Sequence, residues 1–119
     1  IARKNPRGRN VILDSVKEYL QEQRVITDTG KIEDATVFVD DYTGESYGKS
    51  NVEIEKVIDT VLKKYHIPMD STYTGKAFYG MQEYIKKEDI RNKNILFIHT
   101  GGTPLYFDYL NHKNQEKDE

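Results

Sequence analysis

The segment 94–99 (NILFIH), followed at once by Thr100-Gly101-Gly102-Thr103-Pro104, limits the fold more than any other part of the chain. An unbroken run of large apolar residues from Ile95 to Ile98 predicts a strand buried on both faces, the pattern of parallel sheets. The two glycines end it, and Pro104 suits the first turn of a helix. Thr36-Val37-Phe38-Val39, short and β-branched, predicts a second buried strand.

Helical periodicity fills most of the rest. Asn10 is a good N-cap for a helix over about 10–24, with Ile12, Leu13, Val16, Tyr19 and Leu20 on one face. Residues 25–35, around Gly30, read as a connection, and 40–50 as a turn-rich stretch with Gly44 and Gly48. Ser50 or Asn51 caps a helix carrying Ile54, Val57, Ile58, Val61, Leu62 and Tyr65, which stops near His66 because Pro68 restricts Ile67. A polar loop at 70–75 precedes a helix with Ala77, Phe78, Met81, Tyr84 and Ile85 on one side. Helices alternating with strands predict an α/β fold, a three-layer unit with parallel strands, over residues 1–112; the charged residues 113–119 read as a frayed tail. Two strands make a poor sheet by themselves, so further strands are expected outside these residues.

Composition narrows the function. Lys plus Arg is 18 and Asp plus Glu is 20, a net charge of −2, which gives no basic footprint for nucleic acid. The absence of cysteine excludes disulfides, thiolate zinc and a cysteine nucleophile within these 119 residues. No apolar run nears the ~18 residues of a membrane span, and no export signal stands at the start, so a cytoplasmic protein is expected. Apolar residues are 36% of the chain, against roughly 45–50% (glycine counted) in typical soluble domains. Together with Ile1 as first residue, this suggests a fragment whose core is completed by something else.

Chemistry has three places to sit. The turn at Thr100-Gly101-Gly102 lies where open α/β sheets bind ligands, with glycines that permit close approach and a helix N-terminus beyond; a tight turn without a ligand fits the same residues. In Asp70-Ser71-Thr72-Tyr73-Thr74-Gly75-Lys76, Tyr73 could move protons if a site shifted its pKa from near 10. The alternative is a capped turn in which Thr72 or Thr74 satisfies the helix amides. Tyr42 to Gly48, with Tyr47, fits either a substrate loop or an ordinary aromatic turn. Of the histidines, His66 ends a helix, His99 closes a buried strand and reads as a satisfied core histidine, and His112 lies near the tail. None is spaced for a metal. Lys76 fits a structural anchor as well as a reactive amine, and the acidic pairs Glu33-Asp34 and Asp40-Asp41 read as solvated loop edges.

Three segments in order, DDYTGESYG at 40–48, DSTYTGKAFYGM at 70–81 and NILFIHTGGTP at 94–104, resemble the C-terminal part of the pyridoxal-phosphate enzymes that include D-cysteine desulfhydrase and 1-aminocyclopropane-1-carboxylate deaminase. Those enzymes have the tryptophan-synthase-β-like fold, fold type II. The resemblance spans roughly 36–109. It implies that Tyr73 and Tyr47 are active-site tyrosines on the substrate side. It places Thr74 and Thr100 near the pyridine nitrogen and makes Gly75, Gly101 and Gly102 the turns that hold these residues against pyridoxal 5'-phosphate. The ring-opening deaminases typically carry Glu and Leu where Thr74 and Thr100 stand, and the desulfhydrases carry threonine at both. A neutral hydroxyl at the ring nitrogen gives a weaker electron sink, adequate for eliminating a good leaving group. The implied reaction is α,β-elimination of D-cysteine to pyruvate, ammonia and sulfide, with cyclopropane-ring-opening deamination as the alternative. Ser71-Thr72 in place of the family's proline after Asp70, and Leu105 after Pro104, depart from the pattern and bear on the substrate.

The resemblance further implies that the Schiff-base lysine and the phosphate loop belong to an N-terminal part of the same enzyme, that Lys76 is not that lysine, and that these residues alone are inactive. A small amino-acid substrate, a homodimer at full length, and no metal, nucleic acid or membrane complete the expectation. A reading of another class is a non-catalytic α/β module that binds an anion at Gly101-Gly102-Thr103 or serves as an interaction module.

Overall fold

The computed structural model describes residues 4–42 and 51–115, in two compact units, Ile1–Asp40 and Asp41–Glu119. In the first unit, α1 (Arg7–Glu22) begins three residues before Asn10, with Pro6 at its N-cap. The Gly8 amide donates to the Lys4 carbonyl and the Asn10 amide to the Pro6 carbonyl, so the turn is closed by backbone alone and Asn10 lies inside the helix. It ends where Arg24 turns left-handed at φ 54° and the Arg24 and Val25 amides return to the Gln21 and Leu20 carbonyls. The predicted connection contains a short helix, α2 (Thr29–Ala35), because the Asp28 carboxylate accepts from the Gly30 amide at 2.9 Å and caps it. Polar contacts tie α2 to α1: Lys17 to Glu33 at 2.7 Å, and the Arg9 guanidinium to the Glu33 carbonyl at 2.8 Å. Of the apolar face predicted for α1, only Leu13 is buried.

The second unit is built on α3 (Val52–Tyr65), α4 (Thr74–Lys87) and α5 (Thr103–Gln115). The Asn51 side chain caps α3 by accepting from the Ile54 amide at 2.9 Å, and the helix stops at His66 in the left-handed region. Ile54, Ile58 and Val61 of α3 form the core with Met69, Tyr106 and Tyr109. Gly75 lets the first turn of α4 press on this core: a Cβ there would lie 2.8 Å from Ile58 and 2.7 Å from the Asp70 carbonyl. Across α3 and α5, Tyr109 Oη donates to Asp59 at 3.3 Å, and Lys113 pairs with the same carboxylate. Burial foremost, and the Asp59 charge with it, push the Tyr109 phenol above its usual range against the pull of Lys113. Lys113, assigned above to the tail, is thus inside α5, which continues to Gln115.

No strand is present among the described residues, which corrects the α/β reading with parallel strands at this level. A strand exists only through a neighbour's backbone, and neither 36–39 nor 94–99 has one. Leu96 is 85% exposed and Ile98 72%, while Phe97 alone packs inward, edge-on against Phe78 at 5.1 Å between ring centroids. Among the described residues no helix is long and apolar enough to cross a membrane.

Candidate functional site

The start of α4 is organised by Asp70, whose side chain is fully buried. Its Oδ2 accepts from the amides of Thr72 at 2.8 Å and Tyr73 at 2.7 Å. Its Oδ1 accepts from the Thr74 amide at 2.9 Å and the Thr74 hydroxyl at 2.6 Å. A carboxylate has about four acceptor positions, so this one is saturated. Burial pushes its pKa up, but the hydrogen bonds from Thr74, Tyr73 and Thr72 together outweigh that and hold it below the usual carboxylate range. The loop is therefore a capped turn, with Asp70 as the capping side chain where Thr72 or Thr74 was predicted.

This arrangement places each predicted residue. Thr74 is buried; its hydroxyl gives its one proton to Asp70 and accepts from the Asp70 amide at 3.0 Å. Tyr73, the residue before α4, is 42% exposed. Gly75 donates its amide to the Asp70 carbonyl at 2.8 Å, closing the loop. Lys76 is buried beside them, and burial draws its pKa down against the raising effect of the Asp70 charge. Tyr47 lies outside the described residues.

The second loop meets the first at the same point. Gly102, at φ +91°, backs directly onto Asp70: a Cβ there would come within 2.5 Å of Oδ1. Gly101, at φ +105°, has open space where a Cβ would stand, and Thr100 beside it is exposed. The His99 ring reaches the Pro68 carbonyl at 2.9 Å, and the Gly101 amide donates to His99 Nδ1 at 3.2 Å. The residues just ahead of α4 and α5 thus meet through Gly102 against Asp70 and His99 against Pro68. The sequence reading missed Asp70. Its signal was available: aspartate side chains accept from backbone amides two or more residues on and so close turns, and this one opens the polar loop ahead of α4.

A groove of about 310 Å³ opens nearby, lined by Ser71 and Thr72 of the loop together with Leu105, Asp108, Tyr109 and His112 of α5 and Glu55 of α3. It contains none of the predicted site residues. Among the described residues no group of three His, Cys, Asp or Glu side chains is arranged to hold a metal ion.

Proteins of known family carry similar sequence. The chain is 40% identical over 79 residues to a protein of Pyrococcus abyssi named "Putative 1-aminocyclopropane-1-carboxylate deaminase", a match covering 66% of this chain and 23% of that protein. A Pyrococcus furiosus protein of the same name is 45% identical over 69 residues, 58% of this chain and 21% of the relative. D-cysteine desulfhydrase of Serratia proteamaculans is 30% identical over 101 residues, 82% of this chain and 31% of the relative. The chain thus spans between about a fifth and a third of the length of these relatives. No family model matches it, and no solved structure matches it significantly.

Proposed function

We propose, starting from a chain that matches a C-terminal segment of the 1-aminocyclopropane-1-carboxylate deaminase and D-cysteine desulfhydrase family, that it forms one wall of the active site of a pyridoxal-phosphate-dependent enzyme acting on a small amino acid. The observation that carries this reading is the meeting of the two loops, in which Gly102 seats against the Asp70 carboxylate that also holds Thr74. Tyr73 and Thr100 are exposed and Gly101 has open space where a Cβ would stand, so these residues are accessible to a cofactor. In the complete gene product the phosphate loop and the lysine that holds the cofactor come from other residues, and the exposed Asn94–His99 segment joins a parallel sheet with strands supplied there. The 119 residues alone are then inactive, and the full enzyme is a cytoplasmic homodimer.

Bound pyridoxal phosphate would withdraw electrons from the substrate's α-carbon. This chain's residues set how strongly. Thr74 has given its proton to Asp70 and has none left for a ring nitrogen. Thr100 can donate, and a donor suits an unprotonated nitrogen. Asp70, saturated and below the usual carboxylate range, supplies no proton. Tyr73, joined by Tyr47, lines the substrate side and orients its carboxylate or moves a proton. This weak-sink arrangement favours α,β-elimination of D-cysteine to pyruvate, ammonia and sulfide. Ring-opening of 1-aminocyclopropane-1-carboxylate is the second reading, favoured by the names of relatives at 40% and 45% identity.

The test is turnover by the complete gene product, purified with pyridoxal phosphate and offered each substrate separately. Keto acid and sulfide from D-cysteine alone would support elimination. Keto acid from the cyclopropane substrate would move the assignment to the deaminase. Absence of a bound-cofactor absorption band would overturn the reading altogether.

A further inference from the structure

We propose that His99 is a positioning residue that sets the separation of the two site loops, and so the placement of Thr100 opposite Tyr73-Thr74. The purpose assigned to it rests on the function proposed above; its geometry does not. A carbonyl only accepts and an amide only donates, so the two contacts of the ring fix its state. Nε2 must carry the proton given to the Pro68 carbonyl at 2.9 Å, and Nδ1 must keep the lone pair that receives the Gly101 amide at 3.2 Å. The ring thus holds His99 to Pro68, just ahead of the first loop, and to Gly101 within its own segment. Thr100 lies between His99 and Gly101, and Gly102 is stopped against Asp70.

Burial does not account for this histidine. It is exposed, at the end of a segment in which Ile95, Leu96 and Ile98 are exposed as well. Its contacts are directional: the one to Pro68 crosses to the segment before α4, and the one from Gly101 closes a local turn around Thr100, which is what placing that hydroxyl requires. Displacing a reacting or orienting group by about 1 Å costs roughly a hundredfold in rate.

Three variants separate the contacts. His99→Gln keeps a donor that reaches Pro68 and loses the acceptor for Gly101. His99→Asn keeps an acceptor near Nδ1 and cannot reach Pro68. His99→Phe keeps volume and loses both. In the full chain, long-range proton–nitrogen NMR of the ring is expected to show the Nε2–H tautomer, and His99→Phe to move the amide resonances of Thr72, Tyr73 and Thr74. A Nδ1–H or averaged ring, or unmoved amides, would overturn the proposal. In the complete gene product with pyridoxal phosphate, His99→Phe and His99→Asn are expected to shift the bound-cofactor absorption band and lower kcat about tenfold or more, with His99→Gln recovering most of it. A merely structural histidine would lower thermal stability and leave band and kcat at wild-type values, and that result would also overturn the proposal. If the wild type binds no pyridoxal phosphate, the functional reading fails, and the tautomer and amide shifts alone decide the role of His99.

Discussion

The loop before α4 and the segment before α5 frame the same place, yet they are held in opposite ways. Residues 70–75 are closed on themselves: a buried carboxylate takes four hydrogen bonds from the three residues that follow Ser71, and Gly75 returns its amide to the Asp70 carbonyl. Residues 94–98 close nothing of this kind, with Leu96 85% exposed and only Phe97 packed, against Phe78; His99 at their end reaches the Pro68 carbonyl. Polar closure over a few residues needs no distant partner, whereas a two-faced apolar segment is complete only when other chain covers it.

The comparison breaks most severely at Asp70. Asp70→Ala removes the capping acceptor and leaves buried amides unpaired, an expected loss of about 3 kcal/mol in urea unfolding. Gly102→Ala places a Cβ 2.5 Å from Asp70 Oδ1 at a left-handed φ of +91° and is expected to cost about 2 kcal/mol. In the double variant the clash is gone, so the two costs should fall short of their sum. Acid gives a gentler version of the first change. The folded Asp70 carboxyl sits below its unfolded value of about 3.9, so its contribution is fully present above that pH. The contribution is lost as pH falls through the folded value. The acid limb of stability against pH should therefore flatten in Asp70→Asn. The smallest effect belongs to the other segment: Leu96→Ser should change the stability of these 119 residues by less than about 0.5 kcal/mol, as an exposed position does. A larger loss would show that Asn94–His99 is already partnered.

Local signals account for what the sequence revealed of the fold. Asn51 capping α3, its stop at His66 before Pro68, and Pro104 in the first turn of α5 are set by residues within a few positions of one another. The start of α1 at Arg7 was hidden because backbone bonds alone close that turn and Asn10 offered a competing cap. Gly30 disguised α2, which is kept in place by Lys17 and Arg9 from another helix. The strands were illegible in a stricter sense, since pairing depends on backbone that 36–39 and 94–99 do not meet among the described residues. At the candidate site the sequence pointed to Thr74 as a hydroxyl, but only the structure shows that its proton is already spent on Asp70. His99 read as a satisfied core histidine; its ring does meet the Pro68 carbonyl and the Gly101 amide, but it is exposed, because no neighbouring strand covers its segment among the described residues.

The open segment has a colloidal consequence as well. Asn94–His99 is six residues without a lysine, arginine, acid or proline, rich in β-forming side chains, which is the signature of a piece of chain that stacks with copies of itself. Lys93 and Arg91 stand just ahead of it as charged gatekeepers. Their repulsion weakens as salt rises, so concentrated solutions of these residues should cloud first at high ionic strength, and Leu96→Lys should keep them clear.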